Sequence, residues 1–394
     1  MLFSVYSGTA GTARIAVQSL ETGARQVLEA GTYLHYASTG HIVFEQANSL
    51  WAVPFDADRL VVTGEAKPVL EGVPEVNPAG IANFALSTEG TLVYVPGTVG
   101  GNRFVWVDRQ GNEQPVGGEP RNYAEFSLSP DGAQVAVHVG GSDDDVWVYD
   151  LARDVSTRLT FDPAGERNPL WSPDGRKVAF GGTDGMFWKA ADGTGEVEPI
   201  VESPGNQRPE AFSQDGSVLV FQDLSSGRHL GMVSLDGQAG SPLLWNSESF
   251  EYNAAISPDG RYIAYQSTES GQAEIFVRPF PNVNDGKWQI SNDSGTWPLW
   301  APDGRELFYL SRQELELAGV LVETEPTFTL GRRESLFDTS PYVTNTTARR
   351  IAISPDGQRF LLLKSAGESE DTEPPSIIVV QNWHEELKRL VPTN

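Results

Sequence analysis

Cysteine is absent from this 394-residue chain. Neither disulfides nor thiolate chemistry can hold the fold together, and a cysteine-built zinc site is excluded. Long apolar runs are missing too. No stretch of about 18 apolar residues occurs, and no basic flank leads into an apolar segment at the N-terminus, so neither a membrane-spanning helix nor a signal peptide is expected. Basic residues are scarce: 28 Lys and Arg against 53 Asp and Glu give a formal charge of −25, which repels phosphate backbones and argues against nucleic acid as a partner. The five histidines, His35, His41, His138, His229 and His384, stand at unrelated positions. No convergent ligand set, and hence no metal cofactor built on them, is expected. Helical periodicity is nearly absent before the stretch His384–Val391.

What the chain does have is a recurring turn. Complete Ser-Pro-Asp-Gly copies stand at Ser129–Gly132, Ser172–Gly175, Ser257–Gly260 and Ser354–Gly357. Relaxed copies stand at Ala37–Gly40, Ser87–Gly90, Ser213–Gly216 and Ala301–Gly304. The successive glycines are 50, 42, 43, 41, 44, 44 and 53 residues apart. A period of roughly 40–45 residues marks a propeller whose repeats are four-stranded blades. Proline presets φ for the first central turn position and glycine supplies a positive φ. Apolar runs flank each turn, as in Leu170-Trp171 and Val178-Ala179-Phe180, and predict strands a and b of a blade. A third, aromatic-rich run follows, such as Val146-Trp147-Val148-Tyr149, and then a weaker fourth such as Thr157–Thr160.

The expectation is an all-β chain forming a single β-propeller domain over residues 1–394, of four-stranded antiparallel blades, eight in number with seven or nine as alternatives, and ending in a short helix at 384–394. The repeats fall near 33–70, 83–116, 122–160, 167–201, 208–245, 252–290, 297–337 and 349–383. Residues 1–30 form a partial repeat without strand a, and Leu2–Tyr6, Ala13–Leu20 and Ala24–Leu28 would complete the last blade and close the ring without free edges.

The Ser-Pro-Asp-Gly-Arg-x-x-Ala-Phe pattern at 172–180 resembles the TolB-like, WD40-like propeller repeat of bacteria. Longer stretches resemble the C-terminal propeller domains of bacterial serine/threonine protein kinases: Leu50–Gly64, Phe104–Gly111, Val146–Pro163, Glu274–Ile290 and Ile377–Leu387. That resemblance implies a sensory or interaction module, with a kinase domain in cis and an extracytoplasmic, periplasmic location if the module belongs to a membrane-spanning kinase; otherwise a soluble stand-alone protein is implied. The chain itself carries no Gly-rich phosphate loop with Val-Ala-x-Lys, no His-Arg-Asp and no Asp-Phe-Gly.

No Gly-x-Ser-x-Gly elbow occurs either, so a non-catalytic protein is expected. The alternatives are a free-standing hydrolase or lyase that uses channel residues, and a structural scaffold in an envelope complex. Binding residues are sought just before each strand a, at one mouth of the central channel. Tyr123, Asn168, Arg208, Tyr252, Trp297 and Arg349 are the candidates there. Aromatic, amide and arginine side chains make binding hot spots, and the arginines suit a protein, an acidic peptide or a small anionic ligand. Asp143, Asp144 and Asp145 form an oxygen-rich loop, a candidate for structural Ca²⁺, although a solvated acidic loop is the commoner case.

Overall fold

The computed structural model describes residues 1–5, 14–46, 49–71, 73, 83–95, 101–140, 145–162, 165–202, 206–225, 228–236, 248–344, 348–366 and 377–392. Strands dominate, with a single helix among the described residues, Trp383–Leu390. The chain divides into two compact units, residues 100–366 and residues 1–99 with 367–394.

Residues 100–366 hold six antiparallel sheets, numbered here as blades. Blade 2 runs Tyr123–Leu128, Gln134–Val139, Asp145–Asp150 and Val155–Arg158 in spatial order. Blade 3 (Arg167–Trp171, Lys177–Gly182, Gly185–Ala190, Glu198–Glu202) repeats the pattern. Blade 4 has three described strands, Gln207–Phe212, Val218–Asp223 and His229–Ser234. Blade 5 follows with Glu251–Ile256, Tyr262–Ser267, Glu274–Pro279 and Trp288–Gln289. Blade 6 comprises Gly295–Trp300, Glu306–Ser311, Glu316–Glu323 and Thr329–Asp338. Blade 1 joins the two ends of the unit: Ile351–Ile353 and Arg359–Ser365 supply strands a and b, and Asn102–Asp108 and Glu113–Pro115 supply c and d.

Six apolar clusters fill the six spaces between these sheets, and together they close a ring. Phe104 and Leu361 of blade 1 meet Tyr123 and Phe126 of blade 2. Val146 meets Trp171 and Phe180 between blades 2 and 3, and Met186 meets Phe221 between blades 3 and 4. Val220 packs with Tyr265, and Tyr262 with Tyr309, which joins blades 4 to 5 and 5 to 6. Phe308 of blade 6 then packs on Phe360 of blade 1. Each such aromatic buries enough apolar surface to contribute about 1.5–3 kcal/mol. The first strands of successive blades contact one another around the ring, which makes them the inner strands.

The turns follow the same circuit. In blade 2, Ser129 Oγ donates to Asp131 Oδ1 (2.6 Å) and accepts from the Gln134 amide (2.9 Å), while the Gly132 amide reaches Ser129 O (2.8 Å). The serine and aspartate thus satisfy the polar backbone of a tight reversal. Gly132 faces Pro355 of the preceding turn, Gly175 faces Pro130, Gly216 faces Pro173, Gly304 faces Pro258 and Gly357 faces Pro302. At Gly260 the preceding turn has Gln214 in place of proline, and no such contact occurs. Six of the eight turns therefore belong to this ring.

The other two turns lie in the unit built from residues 1–99 and 367–394. Leu2–Val5, Arg14–Gln18 and Arg25–Ala30 form one sheet. Thr32–Ala37, His41–Gln46 and Ser49–Asp56 pair in order, and both Val61–Val62 and Lys67–Glu71 pair with Ser49–Asp56. Phe84–Leu86, Leu92–Tyr94 and Ile378–Val380 form the third. Phe44 and Val17 pack between the first two sheets, and Val43, Leu92, Trp383 and Leu387 bind the second and third to the helix.

Two features differ from the single-ring expectation. The N-terminal strands make their own sheet and do not complete the last blade; Asn102–Pro115 does so, with Val105 opposite Leu362 and Trp106 opposite Leu361. The repeats expected at 83–116 and 349–383 are each shared between the two units. Leu92–Tyr94 pairs with Ile378–Val380, not with Asn102–Asp108. Both exchanges join strands far apart in sequence whose apolar pattern matches equally well, so the physical choice lies in tertiary pairing.

Candidate functional site

Five of the six inner strands of residues 100–366 share a local irregularity. Register shifts interrupt the first strand between Tyr123 and Phe126, Arg167 and Leu170, Pro209 and Ala211, Tyr252 and Ala255, and Thr296 and Leu299. Asn168, Asn253 and Trp297, each four residues before the turn, lie at φ 54°, 56° and 55°. Such bulges re-aim side chains and free backbone groups from the ladder. They set the direction of the charged residues in these strands.

Arg349, from blade 1, donates from Nη2 to the backbone O of Glu210 in blade 4 (2.7 Å), and the same nitrogen lies 3.6 Å from Glu210 Oε2. Blades 1 and 4 are separated by two blades on either side of the ring, so this bond crosses the axis. Arg349 also lies over the Trp297 ring, 5.9 Å from its centroid, and keeps 21 % of its side chain exposed. Glu210 is buried. Burial pushes its carboxyl up to about 7, against Arg349, Arg208 and the backbone amides of Asn253 and Ala254, which favour its ionised form.

Glu125 of blade 2 is the second carboxylate. His138 Nδ1 lies 2.6 Å from its Oε2. Burial raises this carboxyl, but His138 and Arg208 more than reverse that and bring it down to about 2. Arg208 and Arg350 complete the group. Burial lowers the guanidinium of each, and the Glu125 charge opposes the change in both. Arg350 Nε is buried with no hydrogen-bond partner among the described residues, an uncommon state for so strong a donor. Arg208 makes no hydrogen bond to the described residues either. Arg167 and Arg228 add like charge beside it. An acidic protein thus concentrates cations on its axis.

The expected channel residues distribute unevenly. Arg208 and Arg349 belong to the charged group. Trp297 is buried beneath Arg349, and Asn168 is half-buried in its bulge. Tyr123 packs on Phe104 between blades (4.8 Å between centroids), and Tyr252 accepts from Gln266 Nε2 (2.8 Å), so both tyrosines serve the ring's packing. Glu125, Glu210, His138 and Arg350 were not anticipated. The signal available for them is a charge inside an apolar first strand, as in Tyr-Ala-Glu-Phe and Arg-Pro-Glu-Ala.

Asp145 is buried, and its carboxylate is bound by Arg158 Nη2 and by Thr160 Oγ1 (3.1 Å), so its oxygens are committed to protein partners. Asp143 and Asp144 lie outside the described residues. Among the described residues no group of three or more metal-ligating side chains converges. Two shallow surface depressions, about 430 and 540 Å³, are lined by Ser270, Gln272 and Glu274 and by Arg261 and Glu325 respectively, with no comparable cluster of cations.

No family model matches the chain. Among solved structures it is similar to a putative TolB from Agrobacterium tumefaciens, with 18 % identity and a TM-score of 0.53 over 68 % of this chain and 99 % of that one. It is also similar to TolB from Acinetobacter baumannii, with 15 % identity and a TM-score of 0.44 over 82 % and 78 % of the two chains. The first likeness establishes a TolB-type β-propeller fold. No described helix is long and apolar enough to cross a membrane.

Proposed function

We propose that this protein is a non-catalytic binding propeller that engages an anionic group of a protein, peptide or small ligand at the axis of residues 100–366. The observation that carries this reading is Arg349 reaching across the ring to Glu210 (2.7 Å to its backbone O), with Arg350 Nε buried and unbonded among the described residues and Arg208 within the field of Glu125 and Glu210. Charge-assisted bonds from guanidinium forks are among the strongest available for carboxylate or phosphate recognition. A chain of net charge −25 repels such ligands over much of its surface, so a group of cations at the axis is a local exception to its overall charge.

Titration of acidic peptides and of inorganic phosphate into the protein, followed by calorimetry and tryptophan fluorescence, tests it. Binding to the wild type that is lost in Arg208→Glu and weakened in Trp297→Ala is expected. Equal affinity in all three proteins would overturn the site.

A finer reading assigns the chain to the extracytoplasmic sensory part of a serine/threonine kinase. The segments Leu50–Gly64 and Glu274–Ile290 support it, being similar to such propellers, and sequencing the coding region upstream of Met1 for kinase motifs and an apolar 20-mer tests it.

A further inference from the structure

The turn Ala37–Gly40 departs from its counterparts in a way that reaches the C-terminal helix. The Gly40 amide still bonds to Ala37 O (3.0 Å), so the reversal itself is kept. Thr39 takes the place that aspartate holds in the Ser-Pro-Asp-Gly copies, and the residue after the glycine is His41. At that position Ala133, Arg176, Arg261, Arg305 and Gln358 are exposed, whereas His41 is fully buried. Its ring bonds at both nitrogens: Nδ1 lies 2.9 Å from Thr39 Oγ1, and Nε2 lies 2.6 Å from the backbone O of Val391. A carbonyl only accepts, so Nε2 carries the proton and Nδ1 accepts from the threonine hydroxyl. The buried imidazole is neutral, with both ring nitrogens satisfied.

Val391 ends the helix Trp383–Leu390, and its amide bonds to Leu387 O (2.9 Å). Eight residues are too few for a stable isolated helix, and Asn382 provides no side-chain cap. The pairs Lys388–Glu385 and Arg389–Glu386 are exposed to solvent and contribute little. Docking therefore carries the helix. Trp383, Leu387 and Val391 are buried together with Val43, Leu50 and Leu92, and the Trp383 amide bonds to Gly90 O (2.8 Å). The His384 ring lies against Gly90, where an added Cβ would come within 2.6 Å of its Cγ. His41 supplies the polar contact at the C-terminal end.

We propose that this helix is a strap released in acid, with His41 as the buried latch that a second proton opens. Protonating Nδ1 forces the Thr39 hydroxyl from donor to acceptor and places a charge out of reach of water. Across its own sheet His41 faces Ala37 and Pro54, which do not titrate. Burial is the largest effect on the ring and opposes the cation, as does the charge of His384 from the helix; hydrogen bonds to Val391 and Thr39 favour it. Burial and His384 prevail, so the docked ring titrates below its ordinary 6.5. His384 Nε2 is itself buried and unbonded among the described residues. An undocked imidazole returns to the ordinary value, so the docking strength that His41 supplies is present above 6.5 and is lost as pH falls below it. Release would uncover Val43, Leu50 and Leu92. The latch belongs to residues 1–99 and 367–394 and does not depend on the axial arginines.

Hydrogen exchange of the full chain, read by mass spectrometry and corrected for the intrinsic pH dependence of exchange, tests the strap at pH 7.5 and pH 5.0. The segment 383–391 should lose protection by about threefold to thirtyfold in acid, the upper limit being set by an undocked ring of ordinary pKa. Glu306–Ser311, in the six-bladed ring, should keep its protection. His41→Gln cannot titrate and keeps a donor for Val391 O, so its helix should stay protected at both pH values, while His384→Gln should still release. A loss below about threefold in the wild type, an equal loss in Glu306–Ser311, or release that persists in His41→Gln would overturn the proposal. If His41→Gln fails to hold the helix even at pH 7.5, the imidazole proton resonance of His41 in the wild type decides. A midpoint below 6.5 upholds the latch, and one at or above 6.5 overturns it.

Discussion

Glu210 offers a sharp test of the electrostatics because its sign runs against intuition. A carboxylate 3.6 Å from an arginine is usually read as a stabilising ion pair. Here burial outweighs the arginines, and the carboxyl is raised from its ordinary 4.5 to about 7. The folded protein therefore holds this proton more tightly than the unfolded chain does. The associated stability is fully present below pH 4.5 and is lost as pH rises through about 7. At 1.36 kcal/mol per pH unit, the gap between those two values is worth about 3 kcal/mol. Glutamine copies the protonated acid and does not titrate. The stability difference between Glu210→Gln and the wild type should therefore grow in favour of the variant by about 3 kcal/mol between pH 4 and pH 8.5, whatever constant offset the amide introduces. Urea unfolding followed by tryptophan fluorescence at several pH values reads this directly. With a denaturant slope of about 3 kcal/mol per molar, the relative midpoint moves by about 1 M. A difference that stays flat, or that turns against the variant at high pH, would mean that Arg349 dominates and that the reasoning fails.

Other expectations concern the ring. Phe104→Ala empties a site shared with Tyr123 and Phe126 at the closing blade and should cost about 3–5 kcal/mol by chemical denaturation. A cost under about 1 kcal/mol would argue against closure by this strand. A chain of residues 100–366 should unfold cooperatively on its own, with the same penalty from Phe104→Ala; a non-cooperative or aggregated fragment would refute its independence. Gly132→Ala and Gly260→Ala both place a Cβ at positive φ, but the first brings it 2.7 Å from Pro355 Cδ and the second meets nothing within 4 Å. The melting temperature of the first should fall further, beyond the about 1–2 kcal/mol that the backbone alone costs.

The turns were legible because their chemistry is local. Proline, aspartate and glycine at fixed offsets dictate a reversal whatever the rest of the chain does, and every Ser-Pro-Asp-Gly copy folds as the sequence predicts. Closure was not legible. Phe104–Val107 reads as the third strand of the repeat that begins at Phe84, and nothing in its residues tells Leu361 and Leu362 from Val93 and Tyr94 as partners. The irregular glycine separations of 50 and 53 were the visible trace of a change in organisation, but spacing alone does not say which strands exchange. The site was half legible for a related reason. Arg208 and Arg349 stand at strand starts, where side chains reach the axis under simple alternation. Glu125 and Glu210 lie within or beside bulges, where one extra residue shifts the facing of the strand, so a period of two misplaces them.

The charged axis is also informative for what it costs. Desolvating ionised groups costs several kcal/mol per ion, and well-packed apolar replacements of buried ion pairs often stabilise a protein. The interfaces between blades show the inexpensive solution, with Phe308 against Phe360 and Val220 packed with Tyr265 in apolar clusters. A ring held by six such clusters does not need Arg349 to span it, nor an arginine nitrogen left buried without a partner. Local rules broken without a structural gain are expected where a protein acts. Arg349→Met keeps much of the length and apolar packing of the side chain while removing its charge. If the axis were only a structural plug, that variant would match or exceed the wild type in stability and leave ligand binding unchanged. The anion reading instead requires that whatever stability it gains comes together with a loss of affinity for anionic ligands.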